Sequence, residues 1–216
     1  MRETDAVWRT MVDAALAGRR QWKNAGDLAW EAGVGEKITY KALSRPTAIG
    51  AVTKHLGGGF SVSDPERVLM LLAAARTLAG ARGTEFAAAQ DLVARAPEYA
   101  IGGTRAAAHH LGGRNLIADH GIAMVYVPFD TDLNGLPPGD DARVITVDQR
   151  TLARWGDGFT SAAQTYADLF AQPGLSAQAP KLKESVPNLP PISQPNNQIL
   201  EGSFASVSRP IFATKY

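Results

Sequence analysis

The chain has 216 residues, of which 45% are hydrophobic and 20% are charged, and its formal net charge is +1. This composition is typical of a globular protein with one or two small domains. The sequence contains no cysteine, which excludes disulfides and thiolate chemistry. The polar N-terminus is unlike a signal peptide, and the most apolar run, residues 68–75, is too short to span a bilayer, so we expect a cytoplasmic protein without a membrane segment.

The charges are distributed unevenly along the chain. Residues 1–60 contain nine Lys and Arg against six Asp and Glu, whereas residues 97–172 contain five Lys and Arg against nine Asp and Glu. A basic first module on a more acidic body is the pattern expected of a nucleic-acid-binding head attached to a domain with another role.

The first elements follow from local signals. Apolar residues at helical spacing predict a helix over residues 5–18. Asn24 is a predicted cap for a second helix, with Asp27 three residues after it. Trp22 and Trp30 are predicted core residues, because aromatic rings supply much of the apolar area in so small a domain.

The segment after the second helix predicts a helix-turn-helix with a wing. Residues 33–37 form the expected turn, and Pro46 precedes a predicted recognition helix at residues 47–56, where a proline in the first turn costs no hydrogen bond. Three glycines and a strand at residues 60–63 complete the pattern as a wing. A winged helix-turn-helix places its second helix in the DNA major groove. The predicted contacts to the groove or to phosphate are Lys37, Lys41, Arg45, Thr47, Thr53, Lys54 and His55.

The rest of the chain predicts a second domain and a tail. The winged helix-turn-helix domain covers residues 1–80, a mixed α/β domain covers residues 84–174, and a Pro-, Ser- and Asn-rich tail without periodicity covers residues 175–216. In the second domain, the pattern predicts helices at 85–95, 104–111 and 161–171 and strands at 122–127 and 142–147. The predicted fold class is therefore α+β.

Three segments, residues 60–72, 99–111 (YAIGGTRAAAHHL) and 160–174, carry a resemblance to a known family. Together with the order of elements over residues 6–174, they resemble the AbiEi-type antitoxins of type IV toxin–antitoxin and abortive-infection systems. The resemblance implies a regulator, not an enzyme, whose head binds operator inverted repeats in double-stranded DNA as a homodimer and represses its own operon. It also implies a second domain that counters a nucleotidyltransferase-type toxin.

The same resemblance makes the C-terminal domain incomplete. The family continues with further helices beyond the segment that matches Gly174, whereas this chain changes composition there. A shifted reading frame explains both the change and the missing helices. A functional linear motif in the tail is the other explanation.

A divergent Mg-dependent nucleotidyltransferase is the alternative from another class. The Gly102–Gly103 turn before a helix resembles the start of such enzymes, which hold Mg²⁺ with two carboxylates on a following strand. The expected strand, residues 122–127, has no carboxylate, and Asp119, Asp130 and Asp132 lie outside it. A protein-interaction module that does not bind DNA is the third interpretation.

Two further patterns resemble metal sites. Asp130, Asp132 and Asn134 have the spacing of a calcium loop, but strands flank them instead of helices, so we interpret the segment as an acidic hairpin loop. His109 and His110 are adjacent in a predicted helix and point about 100° apart, which favours one buried and one exposed histidine over a shared ion. We therefore predict no metal, no cofactor and no catalytic residue.

Overall fold

The computed structural model describes residues 2–112, 122–155 and 157–172. In the first part of the chain, three helices precede a hairpin and a fourth helix, and a short strand follows the first helix. These elements are α1 (Glu3–Leu16), β1 (Gln21–Trp22), α2 (Ala25–Ala32), α3 (Glu36–Ala48), β2 (Val52–Lys54), β3 (Phe60–Val62) and α4 (Pro65–Ala75). β3 lies between β1 and β2 and is antiparallel to both.

A second sheet organises the rest of the described chain. Its elements are β4 (Arg82–Thr84), α5 (Phe86–Arg95), β5 (Ala100–Gly102), α6 (Gly103–His110), β6 (Ala123–Pro128), β7 (Ala142–Val147), α7 (Gln149–Arg154) and α8 (Ala162–Ala171). The strands lie in the order β4-β7-β6-β5, with β6 and β7 parallel and the outer pairs antiparallel. The chain is a mixed α+β protein, as the sequence predicts.

Side-chain caps fix the starts of two helices, and the first of them lies where the sequence predicts it. The side-chain oxygen of Asn24 accepts a hydrogen bond from the backbone N–H of Asp27 at 2.8 Å and caps α2. Asp64 caps α4 in the same way, accepting from the N–H of Arg67 at 3.0 Å, and Pro65 is the first residue of that helix. Both caps satisfy backbone donors that a helix start leaves without an intrahelical partner.

The predictions for the two tryptophans have opposite outcomes. Trp22 is buried, and its ring stacks on that of Phe60 with 5.4 Å between the ring centroids. Trp30 is 75% exposed, so its placement in the core is wrong. The buried face of α2 carries Leu28 and Ala32. Trp30, two residues after Leu28, projects about 200° away from it around the helix and so points to solvent.

The predicted recognition helix at residues 47–56 is also wrong. A single helix, α3, runs through Pro46, and residues 52–54 form β2. A proline inside a helix leaves the carbonyl four residues earlier without its usual donor. Here that carbonyl, of Ala42, accepts a hydrogen bond from the indole N–H of Trp8 at 2.8 Å. Because α1 supplies the missing donor, the helix continues past the position where the sequence alone predicts a start.

The parallel pairing of β6 and β7 shows that the predicted hairpin loop between them is wrong. Residues 129–141 are a crossover connection instead. β6 is covered on both faces, because Val125 and Val127 lie in one hydrophobic cluster while Met124 and Tyr126 lie in another. A strand buried on both faces is typical of parallel pairing in the interior of a sheet.

The largest hydrophobic cluster draws on both parts of the chain. Met11 of α1 and Leu72 of α4 share it with Ala107 of α6 and Leu169 of α8. The last helix therefore completes the core of the first part. The predicted tail, residues 175–216, lies outside the described residues. Within the described segments, every helix is too short or too polar to cross a bilayer.

Replacing Gly59 with alanine is expected to destabilise the fold by roughly 2 kcal/mol, because Gly59 adopts a left-handed φ of +77° and its Cβ would lie 2.5 Å from the carbonyl oxygen of Trp22. The midpoint of urea unfolding measures this loss. Gly57→Ala is the matched control, since a Cβ there meets no atom within 4 Å. Equal unfolding midpoints for the two variants would contradict the close approach of the hairpin to Trp22.

Candidate nucleic-acid interface

The outer face of α3 carries a basic stripe. Lys37, Lys41 and Arg45 are exposed and follow one another at intervals of four residues, which places them on one side of the helix. The opposite side is buried in the core through Thr39 and Leu43, among others. The helix is therefore fixed by its apolar face and presents three cations to solvent.

A second row of exposed side chains runs beside this stripe. Tyr40 and Ser44 are exposed on α3, with Tyr40 57% exposed. The sequence prediction did not include them, because it divided the segment into two helices. A helical period continued from Glu36 to Ala48 brings both next to the cations.

The β2–β3 hairpin carries a further group of predicted residues. Thr53, Lys54 and His55 are exposed, but they belong to β2 and the following turn and not to a helix. The hydroxyl of Thr53 lies 2.6 Å from that of Ser63 and forms a hydrogen bond across the hairpin. Lys54 and His55 are exposed next to the turn of the hairpin, so this arm adds the positive charge of Lys54 to that of the stripe.

Thr47 is the one predicted contact that lies on neither surface. It is in the last turn of α3, and its hydroxyl oxygen is buried. Among the described residues, this oxygen has no hydrogen-bond partner. In this structure the hydroxyl of Thr47 therefore does not face solvent, and its contact to DNA stays a prediction.

The hairpin is attached firmly to the end of α3. The backbone N–H groups of Ser63 and Asp64 both donate to the carbonyl of Ala51, at 2.9 and 3.1 Å. The side chain of Arg67 donates to the carbonyl of Ile49 at 2.8 Å. These bonds hold the hairpin base against the turn that follows α3. The helix stripe and the hairpin therefore form a single preorganised surface.

A separate cleft of about 680 Å³ lies between α1, α7 and the start of α8. At its base, the buried Arg9 donates to the hydroxyl of Thr151 at 3.1 Å, and its guanidinium lies 5.1 Å from the centre of the Trp155 ring. Asp13 accepts hydrogen bonds from the Ser161 hydroxyl and from the backbone at the start of α8. Burial raises the pKa of Asp13 to about 6, although Arg9 and Ser161 oppose the rise.

Replacing Asp13 with asparagine is expected to stabilise the fold above pH 7 and to change little near pH 4. The pKa of Asp13 is about 6 in the fold and 3.8 ordinarily, so the fold favours the protonated form. The charged form of Asp13 therefore lowers the free energy of unfolding increasingly as the pH rises from 4 to 6, and the loss is constant above that range. Because Asp13 is only partly buried, we expect a gain of about 1–2 kcal/mol.

Urea unfolding of the Asp13→Asn variant between pH 4 and pH 8 measures this difference. Asp91→Asn, at an exposed position on α5, is the control and should shift the curve little at any pH. A loss of stability in Asp13→Asn at pH 8 would mean that attraction to Arg9 outweighs the cost of burying the charge.

The positions considered for metals have other roles in the fold. The ring nitrogen of the exposed His109 lies 2.9 Å from a carboxylate oxygen of Asp157, and that of the half-buried His110 lies 2.8 Å from the Thr160 carbonyl. The two histidines thus have separate partners. His109 is exposed as predicted, whereas His110 is half-buried and not fully buried. Asp132 accepts from the backbone N–H of Asn134 at 2.9 Å, which is a turn contact.

The described residues also contain no cluster of side chains suited to a metal ion. Among residues 2–112, 122–155 and 157–172, no group of three His, Cys, Asp or Glu side chains is placed to hold an ion. Asp119, the remaining carboxylate considered for a nucleotidyltransferase site, lies outside these residues.

Comparisons with protein-family models, with curated proteins and with solved structures found no match to this chain. The resemblance to the AbiEi-type antitoxins therefore stays a prediction from the sequence.

Proposed function

We propose that the chain is a sequence-specific DNA-binding transcriptional regulator whose first part is a winged helix-turn-helix. The observation that carries the proposal is the exposed stripe of Lys37, Lys41 and Arg45 on α3, which is joined rigidly to a basic hairpin. In this proposal α3, and not residues 47–56, is the recognition helix, and the β2–β3 hairpin is the wing. The order α1-β1-α2-α3-β2-β3 supports this assignment.

The geometry of B-DNA suits this arrangement. The major groove is about 12 Å wide and admits one α-helix, and Arg and Lys side chains on that helix bind guanine edges or phosphates. Arg45, Lys41 and Tyr40 are long enough to reach base edges from α3. Lys37 and the hairpin residues Lys54 and His55 supply backbone contacts in this scheme. Two copies on inverted repeats would read half-sites about one helical turn apart.

The second part of the chain is proposed to be the antitoxin module. Its support is the sequence resemblance, together with a core in which α8 packs against the first part. In this proposal the partner is a nucleotidyltransferase-type toxin, and the chain itself performs no catalysis. Co-expression with the product of the adjacent gene tests this role, because growth should be rescued only when the toxin is countered.

Fluorescence anisotropy with the DNA upstream of the gene tests the DNA-binding proposal. We expect that DNA to bind about 10³-fold more tightly than a scrambled duplex at physiological salt. With three to four phosphate contacts per copy, the logarithm of the binding constant should fall with log salt at a slope of about −3 to −4 for each bound copy. Equal and weak binding of both duplexes at micromolar protein would reject a sequence-specific regulator.

A further inference from the structure

Leu56 lies at the tip of the β2–β3 hairpin and is fully exposed. A single exposed leucine is ordinary on a protein surface. The surroundings of Leu56 are not ordinary, because Lys54 and His55 precede it and three glycines follow it. It is therefore the only apolar side chain of the turn, and no neighbouring side chain on its C-terminal flank shields it.

The arm that carries Leu56 is well ordered by its contacts. Within the turn, the N–H of Gly58 donates to the carbonyl of His55 at 3.0 Å, and the N–H of His55 donates to the carbonyl of Gly59 at 3.2 Å. Below the turn, the ring of Phe60 stacks on Trp22. Gly59 also packs so closely on the backbone of Trp22 that a Cβ would not fit. Leu56 is thus presented at a fixed position relative to α3.

We infer, on the basis of the proposed function, that Leu56 enters the minor groove next to the site read by α3 and wedges into a base-pair step. Apolar side chains that bind the minor groove act in this way, partly unstacking one step and bending the duplex. The minor groove is about 6 Å wide, so it admits one side chain from a glycine turn more readily than a whole hairpin.

The charges beside Leu56 favour DNA as the partner of this tip. Lys54 and His55 are exposed on the same arm, and Arg45, Lys41 and Lys37 are exposed on the helix to which the arm is attached. In this arrangement Lys54 and Lys37 bind the phosphates that border the groove, while the apolar tip reaches between them and Arg45 and Lys41 stay with the bases read by α3. A protein partner of opposite charge is the competing occupant.

Insertion of Leu56 into a base-pair step, called the wedge below, also predicts a preference for the DNA sequence at positions that α3 does not contact. Pyrimidine–purine steps such as TA are unstacked most easily, so a TA step under the tip should bind better than a stiff AA step. Leu56 would then determine specificity through the deformability of DNA and not through hydrogen bonds to bases.

The test compares the wild type with Leu56→Ser and Leu56→Met on the upstream DNA. Circular-permutation gel shifts measure bending, and anisotropy measures affinity for probes in which successive flanking steps are changed from TA to AA. We expect the wild type and Leu56→Met to bend the DNA and to lose about tenfold in affinity when the contacted TA step is changed. Leu56→Ser should bend less and be insensitive to that change. Because Leu56 is fully exposed, all three proteins should have the same melting temperature.

The possible outcomes distinguish a failure of the wedge from a failure of the proposed function. Specific DNA binding by all three proteins, with equal bending and equal step preference, would overturn the wedge and leave the regulator proposal intact. Unchanged DNA binding combined with weaker binding of Leu56→Ser to the toxin partner would assign the tip to a protein contact and would also overturn the wedge. A wild type that binds no specific DNA would overturn both proposals.

Discussion

The Asp168→Ala variant should lose about 3–5 kcal/mol of unfolding free energy, the largest effect expected of any single substitution proposed for this chain. Asp168 is completely buried and forms an ion pair with the buried Arg76, in which Nε lies 2.9 Å from the carboxylate. The hydroxyl of Tyr126 donates to both oxygens of Asp168, at 2.7 and 2.8 Å. The side-chain amide of Gln164 donates to one of them at 2.9 Å. Removing the carboxylate leaves a buried guanidinium without its counter-charge and two further donors without their acceptor.

Arg76 shows how closely the members of this cluster depend on each other. Its Nη2 also donates to the hydroxyl of Tyr126 at 2.6 Å. Tyr126 and Asp168 raise the pKa of Arg76 against the effect of burial, so the guanidinium stays charged in the fold. Burial raises the pKa of Tyr126 well above its usual value, which keeps the phenol neutral and able to donate. A guanidinium keeps its proton in proteins even without a counter-charge, so a change of protonation at Arg76 does not relieve the loss of Asp168.

Urea unfolding followed by circular dichroism measures the loss. The control is the double variant Arg76→Met/Asp168→Leu, which removes both charges and should recover part of the stability, because no buried charge remains, although Tyr126 and Gln164 still lack their acceptor. A loss below about 1 kcal/mol in Asp168→Ala would mean that water reaches the pair in solution, as it does in surface ion pairs.

The position of this cluster explains why one substitution should affect the whole described fold. Arg76 follows the last residue of α4, Tyr126 lies in the central strand β6, and Asp168 lies in α8. The cluster therefore joins the first part of the chain to the second sheet and to the last helix. We expect a single unfolding transition shared by both parts, since they also share the largest hydrophobic cluster.

Features that depend on neighbours along the chain could be predicted from the sequence. Asn24 and the Asp64–Pro65 pair are residue types that favour a helix start, and α2 and α4 begin at these positions. The strands β6 and β7 were predicted from short β-branched and apolar runs. Their parallel pairing was not predicted, because a run of apolar residues does not indicate whether the neighbouring strand runs parallel or antiparallel to it.

Features that depend on distant contacts could not be predicted in this way. Pro46 predicts a helix start when read locally, and only the indole of Trp8, 34 residues from Ala42, shows why α3 continues. The pair of Arg76 and Asp168 joins residues 92 positions apart and leaves no pattern in the sequence. The predicted interface is affected by the same error, the helix start placed at Pro46.

Several of the predicted interface residues are exposed, but some of them lie on other elements than the sequence predicts. Lys37, Lys41 and Arg45 were predicted contacts and are exposed together on α3. Lys54 was expected on a recognition helix and lies on the hairpin. Basic residues are recognisable without a correct helix boundary, whereas Tyr40 and Ser44 become candidates only when the whole helix is known. The DNA contacts themselves stay predictions.

Replacing Arg45 with alanine should weaken binding to the upstream DNA by about 10- to 100-fold, the range for loss of one bidentate contact between arginine and guanine. Arg45 is exposed in the last turn of α3, so its removal costs no core packing. Anisotropy titrations against the upstream duplex and a scrambled duplex, each over a range of salt, measure the effect. A base contact should reduce the preference for the upstream duplex, whereas a phosphate contact should weaken both duplexes equally and reduce the salt slope by about one.

Arg95→Ala is the matched control for this prediction. Arg95 is also an exposed arginine in the last turn of a helix, but it lies on α5, in the second part of the chain. Both substitutions remove one positive charge, so a general effect of net charge would weaken DNA binding equally in the two variants. A loss confined to Arg45→Ala would assign the effect to α3. Equal small losses of affinity in both variants would mean that the overall charge attracts DNA, and this would contradict α3 as the recognition helix.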